Sequence, residues 1–220
     1  MPDQANATVN LWKQMLGEVP DWVWERTDAE VLILADNGLT EVSERVGEMQ
    51  RLVTLDLGHN RLSVVPEGLG RLVGLSKFLY LHDNQLTGLP EELGGLKRLR
   101  YLNLSENRFA ELPGCVCAME SLIEVRATDN AIAELPEGIG RLTRLRELHL
   151  RNNRLKGLPK AMGELRELRQ VDLRGNPLAD LPEELLQLPR LEKVDLRWVD
   201  VRGCAGMLER LEARGCVVYT

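Results

Sequence analysis

Residues 99–121 read LRYLNLSENRFAELPGCVCAMES, and the order of residue types in this stretch decides the fold. Leu99, Leu102 and Leu104 lead into Asn107, then Phe109, then Leu112-Pro113. Apolar and polar residues alternate through the Leu-x-Leu step, which predicts a short strand with one buried face. Proline excludes the residue before it from the α region, so the Leu-Pro step predicts an extended corner ahead of a short helical or 3-10 return. The same order recurs on both sides of the stretch. Seven asparagines, Asn37, Asn60, Asn84, Asn107, Asn130, Asn153 and Asn176, follow one another at steps of 23, 24, 23, 23, 23 and 23 residues.

Other copies fill the same pattern. The second runs Leu52, Leu55, Leu57, Asn60, Leu62, Val65, Pro66, Leu69 and Leu72; the sixth runs Leu145, Leu148, Leu150, Asn153, Leu155, Leu158, Pro159, Met162 and Leu165. The seventh extends from Leu168 to Leu188, and the first begins near Ala29 with Ser43 in place of the proline. Every connection returns the chain to the same edge, so successive strands must pair in parallel. One copy cannot bury its own apolar face. Stacking buries roughly seven aliphatic side chains per copy, worth about 1.5–3 kcal/mol each before entropy is subtracted. The asparagine amide is placed to replace backbone partners lost where the chain leaves the strand. Acidic residues after the proline, as in Pro90-Glu91-Glu92 and Pro182-Glu183-Glu184, carry the sign preferred at a helix start. The chain therefore reads as one solenoid rather than two domains.

On these motifs the chain resembles the leucine-rich repeat superfamily, in particular the class with Leu-Pro-x-x-Leu on 23-residue repeats found in many bacterial proteins and in Ras-suppressor-type scaffolds. The resemblance covers about residues 29–190. It implies an α/β horseshoe with a concave parallel β-sheet, short helical or 3-10 convex segments and a cap at each end. It also implies protein–protein recognition, without naming the partner.

The expected organisation is an N-terminal cap with a degraded repeat over 1–28, seven repeats over 29–190, and a strand-helix-strand cap over 191–220. In the first cap Leu16, Val19, Pro20 and Val23 keep the register, Gln14 replaces the asparagine, and Trp12, Trp22 and Trp24 are expected to seal the first core layer. In the last, Leu191, Val194 and Leu196 predict a strand, with Val199 where asparagine is due. Residues 205–214 predict a helix with Met207, Leu208 and Leu211 on one side, ended by Gly215, and 216–219 a closing strand.

Net charge is −6 with a pI near 5.3, which argues against a nucleic-acid partner. No apolar stretch is long enough to span a membrane. The opening residues lack a basic stretch followed by an apolar core, so a secretory signal is not expected. Arg outnumbers Lys 22 to 6, a bias suggestive of a GC-rich bacterial genome. Cys115 and Cys117 form a C-x-C pair with no second pair or nearby histidine to complete a zinc site. Cys204 and Cys216 flank the last helix, whose ends lie roughly 15 Å apart, beyond the roughly 7 Å reach of a disulfide. Free thiols, a reducing compartment and a cytoplasmic monomer are the expectation.

Four positions of each repeat, the third, fifth, seventh and eighth, are expected on the concave side and free to serve binding. All three histidines fall in them, as do Tyr80, Tyr101, Phe78 and Trp198, in a chain only 4% aromatic. Tyr, Trp and Arg dominate binding hot spots. Two zones result. Phe78, Tyr80, His82 and Tyr101 make an aromatic patch, with Asn103 beside it. Arg151, Arg174 and Arg197 make a basic stripe, flanked by Arg126, His149 and Trp198 and interleaved with Glu147, Asp172 and Asp195. At about 4.8 Å per strand the surface from Phe78 to Arg197 spans roughly 25 Å. Cross-strand ion pairs on a solvated sheet face are the competing account of the stripe. The third repeat carries one extra residue in Leu75-Ser-Lys-Phe-Leu79, which predicts a bulge presenting the aromatic patch.

No catalytic constellation is legible: no glycine-rich phosphate loop, HExxH or GxSxG occurs. His59 and His82, with Asp83, are near enough in register to raise a shared metal, but no metal or cofactor is expected. Some bacterial repeat effectors carry a catalytic domain, for which the roughly 30 residues after the repeats are too few. The reading is a non-enzymatic interaction module, an intracellular adaptor or scaffold that binds a protein through its concave face. The alternatives are a bacterial effector that binds a host signalling protein and a self-associating structural solenoid.

Overall fold

The structure, a computed structural model, describes residues 7–200 and 202–220; residues 1–6, the start of the expected N-terminal cap, and residue 201 lie outside the described residues. Ten three-residue strands form one sheet in sequence order. They are β1 (Thr8–Asn10), β2 (Val31–Ile33), β3 (Thr54–Asp56), β4 (Phe78–Tyr80), β5 (Tyr101–Asn103), β6 (Glu124–Arg126), β7 (Glu147–His149), β8 (Gln170–Asp172), β9 (Lys193–Asp195) and β10 (Val217–Tyr219). Every neighbouring pair is parallel, and the central residue of each strand faces the next in register, as in Leu55↔Leu79↔Leu102↔Val125↔Leu148. In β1 to β9 that central residue is a buried leucine or valine, so the register aligns one apolar file along the core.

The returns are five-residue 3-10 helices, such as Glu67–Arg71, Glu91–Gly95 and Glu137–Arg141. Pro66, Pro90 and Pro136 sit at their N-caps with extended ψ of 148°, 141° and 147°, the conformation proline favours at a corner. Where the first repeat lacks proline, the Ser43 hydroxyl accepts the amide of Arg45 at 3.2 Å and caps the turn instead. Convex returns pack closely enough that glycine is required between them: a Cβ on Gly70 would lie 2.3 Å from the backbone oxygen of Glu92.

The asparagines form a ladder. The Asn153 amide donates to Leu150, Arg151 and, in the preceding repeat, Ala127, at 2.9, 3.3 and 2.8 Å; its oxygen accepts the amide of Ile132 at 2.9 Å. Asn37, Asn60, Asn84, Asn107 and Asn176 repeat this arrangement. Each side chain therefore satisfies its own turn and ties it to the turn before.

The ends depart from expectation in two ways. β1 adds a full strand at the N-terminus that the degraded register did not suggest, with Val9 in the core. Of the three tryptophans, only Trp24, 2% exposed, closes the first layer, whereas Trp12 and Trp22 remain 57% and 47% exposed. The 3-10 turn Asp21–Val23 points Val23 and Trp24 inward and leaves Trp22 on the outer side. At the C-terminus the helix α1 (Ala205–Ala213) buries Met207, Leu208 and Leu211, Gly215 follows at φ 86°, and β10 pairs with β9. All four cysteines are free and buried, and burial pushes the Cys115 thiol up to about 12. Among the described residues no helix is long and apolar enough to cross a membrane.

Candidate functional site on the concave face

Register alone assembles the face. Pairing places Thr54, Phe78, Tyr101 and Glu124 side by side in one row, and Asp56, Tyr80, Asn103, Arg126 and His149 in another. Phe78 and Tyr80 share one face of β4 because strand side chains alternate with a period of two. Their rings stack at 5.7 Å between centroids; Tyr101 lies 5.5 Å from Phe78 and 5.2 Å from Tyr80. Tyr80 reaches His82 at 6.0 Å, and His82 meets His59 edge-on at 4.6 Å. Five rings thus run unbroken across three successive repeats. Gly58, opposite His82 on the neighbouring repeat, leaves room for that imidazole; a Cβ there would lie 2.3 Å from it. Burial raises the Tyr80 phenol and pushes that of Tyr101 up to about 12, so both stay neutral donors at physiological pH.

The extra residue of the third repeat does not bulge the strand. The Lys77 amide bonds the Val53 carbonyl at 2.9 Å and the Lys77 carbonyl accepts the Tyr101 amide at 3.1 Å. Val53, which donates to Glu30, holds the equivalent place one repeat earlier. The register therefore passes through β4 unbroken, and Ser76 in the approach turn absorbs the insertion. The aromatic patch is presented by regular pleating.

The eighth position is not free. Lys13, Asp36, His59, Asp83, Glu106, Asp129, Asn152 and Trp198 all have φ between 49° and 66°, and Gly175 has φ 65°. The turn before each asparagine site demands a left-handed residue, which explains the Asp, Asn, His and Gly found there. Trp198 is the outlier, a bulky ring 72% exposed in a strained conformation.

The arginine stripe is paired throughout. Arg174 holds Asp172 at 2.8 and 2.6 Å, Arg197 holds Asp195 at 3.0 and 2.8 Å, and Arg151 meets Asp129 at 3.1 Å. Two of these three pairs join residues two apart in one repeat, the last residue of the strand and the turn after it, rather than neighbouring repeats. Asp195 is buried; burial alone would raise its carboxyl, but the hydrogen bonds from Arg197 and the charges of Arg174 and Arg197 hold it below its ordinary range. Arg197 also lies 6.0 Å from the Trp198 ring and 5.6 Å from Tyr219.

Two clusters have metal-ligating residue types. His59 Nδ1 sits 2.6 Å from Asp83, and its Nε2 lies 3.2 Å from His82 Nε2, so the pair raised from sequence does come together. Burial and then His59 lower the His82 imidazole. Glu124, Glu147 and His149 bring one ligand atom each within 4.8 Å of one another, a trio that sequence reading did not pick out. The Arg126 guanidinium already donates to Glu124 at 2.6 Å, and His149 Nε2 lies 3.1 Å from Glu147. A cation there would have to displace an internal ion pair, so the donor set fits a self-satisfied network better than a metal centre.

Three stretches, residues 29–86, 67–153 and 143–198, match models of the leucine-rich repeat and the leucine-rich repeat region, and together they tile 29–198 without a gap. No curated protein matches the chain at a significant level. Among solved structures, a leucine-rich repeat protein of Leptospira interrogans is 27% identical at TM-score 0.51, over 91% of this chain and 63% of that one. The plant peptide hormone receptor RGFR1, in complex with RGF2, is 28% identical at TM-score 0.74, over 82% and 30%. An internalin, inlF of Listeria monocytogenes, shares the fold at 19% identity and TM-score 0.72, over 90% and 55%. The chain thus spans less than two thirds of the length of each. With the asparagine ladder, the parallel file of leucines and the tiled matches in hand, the chain belongs to the leucine-rich repeat family, whose solenoids generally serve protein–protein interaction.

Proposed function

We propose that this protein is a non-enzymatic interaction module of adaptor or scaffold type, working as a cytoplasmic monomer, that recognises a protein partner through its concave face. The observation that carries the reading is the five-ring file from Tyr101 through Phe78, Tyr80 and His82 to His59, laid across strands whose core residues do not require it. Rigid aromatic side chains offer large contact area at small entropic cost. The paired arginines beside them supply a polar border, with Asn103, Arg126, His149, Arg151, Arg174, Arg197 and Trp198 as its contact residues. The peptide receptor of similar fold is consistent with a polypeptide ligand. An open sheet face suits a protein partner better than a small-molecule substrate, whose sites are usually enclosed.

The test is affinity capture from the native lysate with wild type and a Phe78→Ala/Tyr80→Ala/Tyr101→Ala variant, after circular dichroism confirms that both fold. Proteins retained by wild type and lost by the variant are the expected result. Identical capture by both would sink the concave-face reading.

A further inference from the structure

Arginines beside the sheet differ in whether they are paired, and on the rim Arg169 is held by Glu192 at 3.2 Å. On the concave face Arg126, Arg151, Arg174 and Arg197 each have a carboxylate within 3.1 Å. On the rim where the chain enters the sheet, Arg98, Arg100, Arg144 and Arg146 are exposed, and among the described residues none of these side chains has a hydrogen bond or a carboxylate within 4.0 Å. They line a groove of about 650 Å³ whose floor includes Ser76, Ser121 and Ile123. The one acidic residue in it, Glu167, is taken by Arg190. Four like charges gathered without close counter-charges repel one another, and carboxylates from a partner would relieve that repulsion. The groove shares Arg100 and Ile123 with a recess of about 330 Å³ that Phe78 and Tyr101 line on its apolar side, with Lys77 and Glu124 at its edge.

We propose that this rim is a docking groove for an acidic protein segment bearing one apolar anchor residue. Arg98, Arg100, Arg144 and Arg146 would take carboxylates, and the Phe78–Tyr101–Ile123 recess would take the anchor. The inference deepens the protein-binding reading, and rests on it, by naming the chemistry of the partner and moving part of the contact off the concave face. Guanidinium forks match carboxylates bidentately, and local complementarity of this kind chiefly speeds and selects the encounter. Arg100 and Arg146 stand two strands apart, about 10 Å, which is about one turn of a polyproline II chain, three residues at about 3.1 Å each. Acidic residues three apart on such a segment share one face and therefore fit. A nucleic acid is disfavoured, because it has no aliphatic anchor for the recess.

The experiment is fluorescence anisotropy with a labelled Gly/Ser peptide that carries one leucine and glutamates at every third position. Its Gln counterpart, a leucine-free version and a labelled oligothymidylate serve as competing probes. Binding of the acidic peptide is expected to weaken at least about tenfold in the Gln and leucine-free versions, and likewise in Arg100→Glu/Arg146→Glu protein. The Arg100→Ala/Arg146→Ala pair stands in if charge reversal impairs folding. No binding up to millimolar peptide, equal binding of the Gln version, or oligothymidylate binding of equal strength lost in the same variant would each overturn the proposal. Capture from lysate separates the two readings: a partner lost with the aromatic triple variant but kept by both rim variants leaves the concave face standing and removes the rim.

Discussion

Asn153 shows how much one side chain can carry here. It makes four hydrogen bonds, including one amide-to-carbonyl link into the preceding repeat. Alanine would leave buried carbonyls and an amide without partners, each worth about 1–3 kcal/mol. Asn153→Ala should therefore destabilise by at least about 2 kcal/mol, read as a lower urea midpoint. Trp198 carries the opposite sign. A left-handed bulky residue costs about 1–2 kcal/mol, so Trp198→Gly should hold or raise the melting temperature. If the exposed indole serves binding, the same variant should lose partner affinity while gaining stability. His82 links the site to pH. Its folded pKa lies below the unfolded value of about 6.5, so the neutral form is the one the fold prefers. That contribution is fully present above pH 6.5 and is lost as pH falls through the lower folded pKa. Stability should fall between neutral and mildly acidic pH, and His82→Gln should flatten the fall; an unchanged profile would show that His82 is not the group responsible.

At the scale of the element, strands were legible and their exact environment less so. The Leu-x-Leu spacing placed β2 to β9, because the buried face of a three-residue strand needs only one apolar residue at its centre. β1 was missed: Val9-Asn10-Leu11 keeps the apolar spacing, but Gln14 stands where the asparagine is expected. The added residue of the third repeat was visible, but its consequence was not. A sequence shows that a residue is extra without showing which neighbour gives way, and here the approach turn yields while the ladder holds. Deleting Ser76 should accordingly restore a 23-residue repeat with little change in stability or in the near-ultraviolet dichroism of Phe78, Tyr80 and Tyr101. A collapse of that signal would mean the extra residue does shape the patch.

The whole molecule is a stack in which each repeat touches its neighbours, so stability should be distributed along it rather than shared evenly. Asn153 has a laddered asparagine on either side, whereas Gln14 and Val199 end the ladder. Amide exchange should be slowest in β4 to β8 and fastest at β1 and β10, and uniform protection would contradict a nearest-neighbour stack.

The sequence by itself determined the period, the parallel order of the strands, the file of core leucines, the asparagine ladder and which side chains share the concave face. All of these follow from local periodicity and from a connection that must return to one edge. Only the tertiary structure decided which charges are spent on one another and which are left over. Pairing depends on distances between repeats that composition does not report. Arg174 and Arg197 proved bound to Asp172 and Asp195, while the rim guanidiniums of Arg100 and Arg146 stand without a carboxylate partner among the described residues. The left-handed turn at every eighth position, and with it the strain at Trp198, likewise belongs to the backbone path, which residue spacing constrains but does not specify.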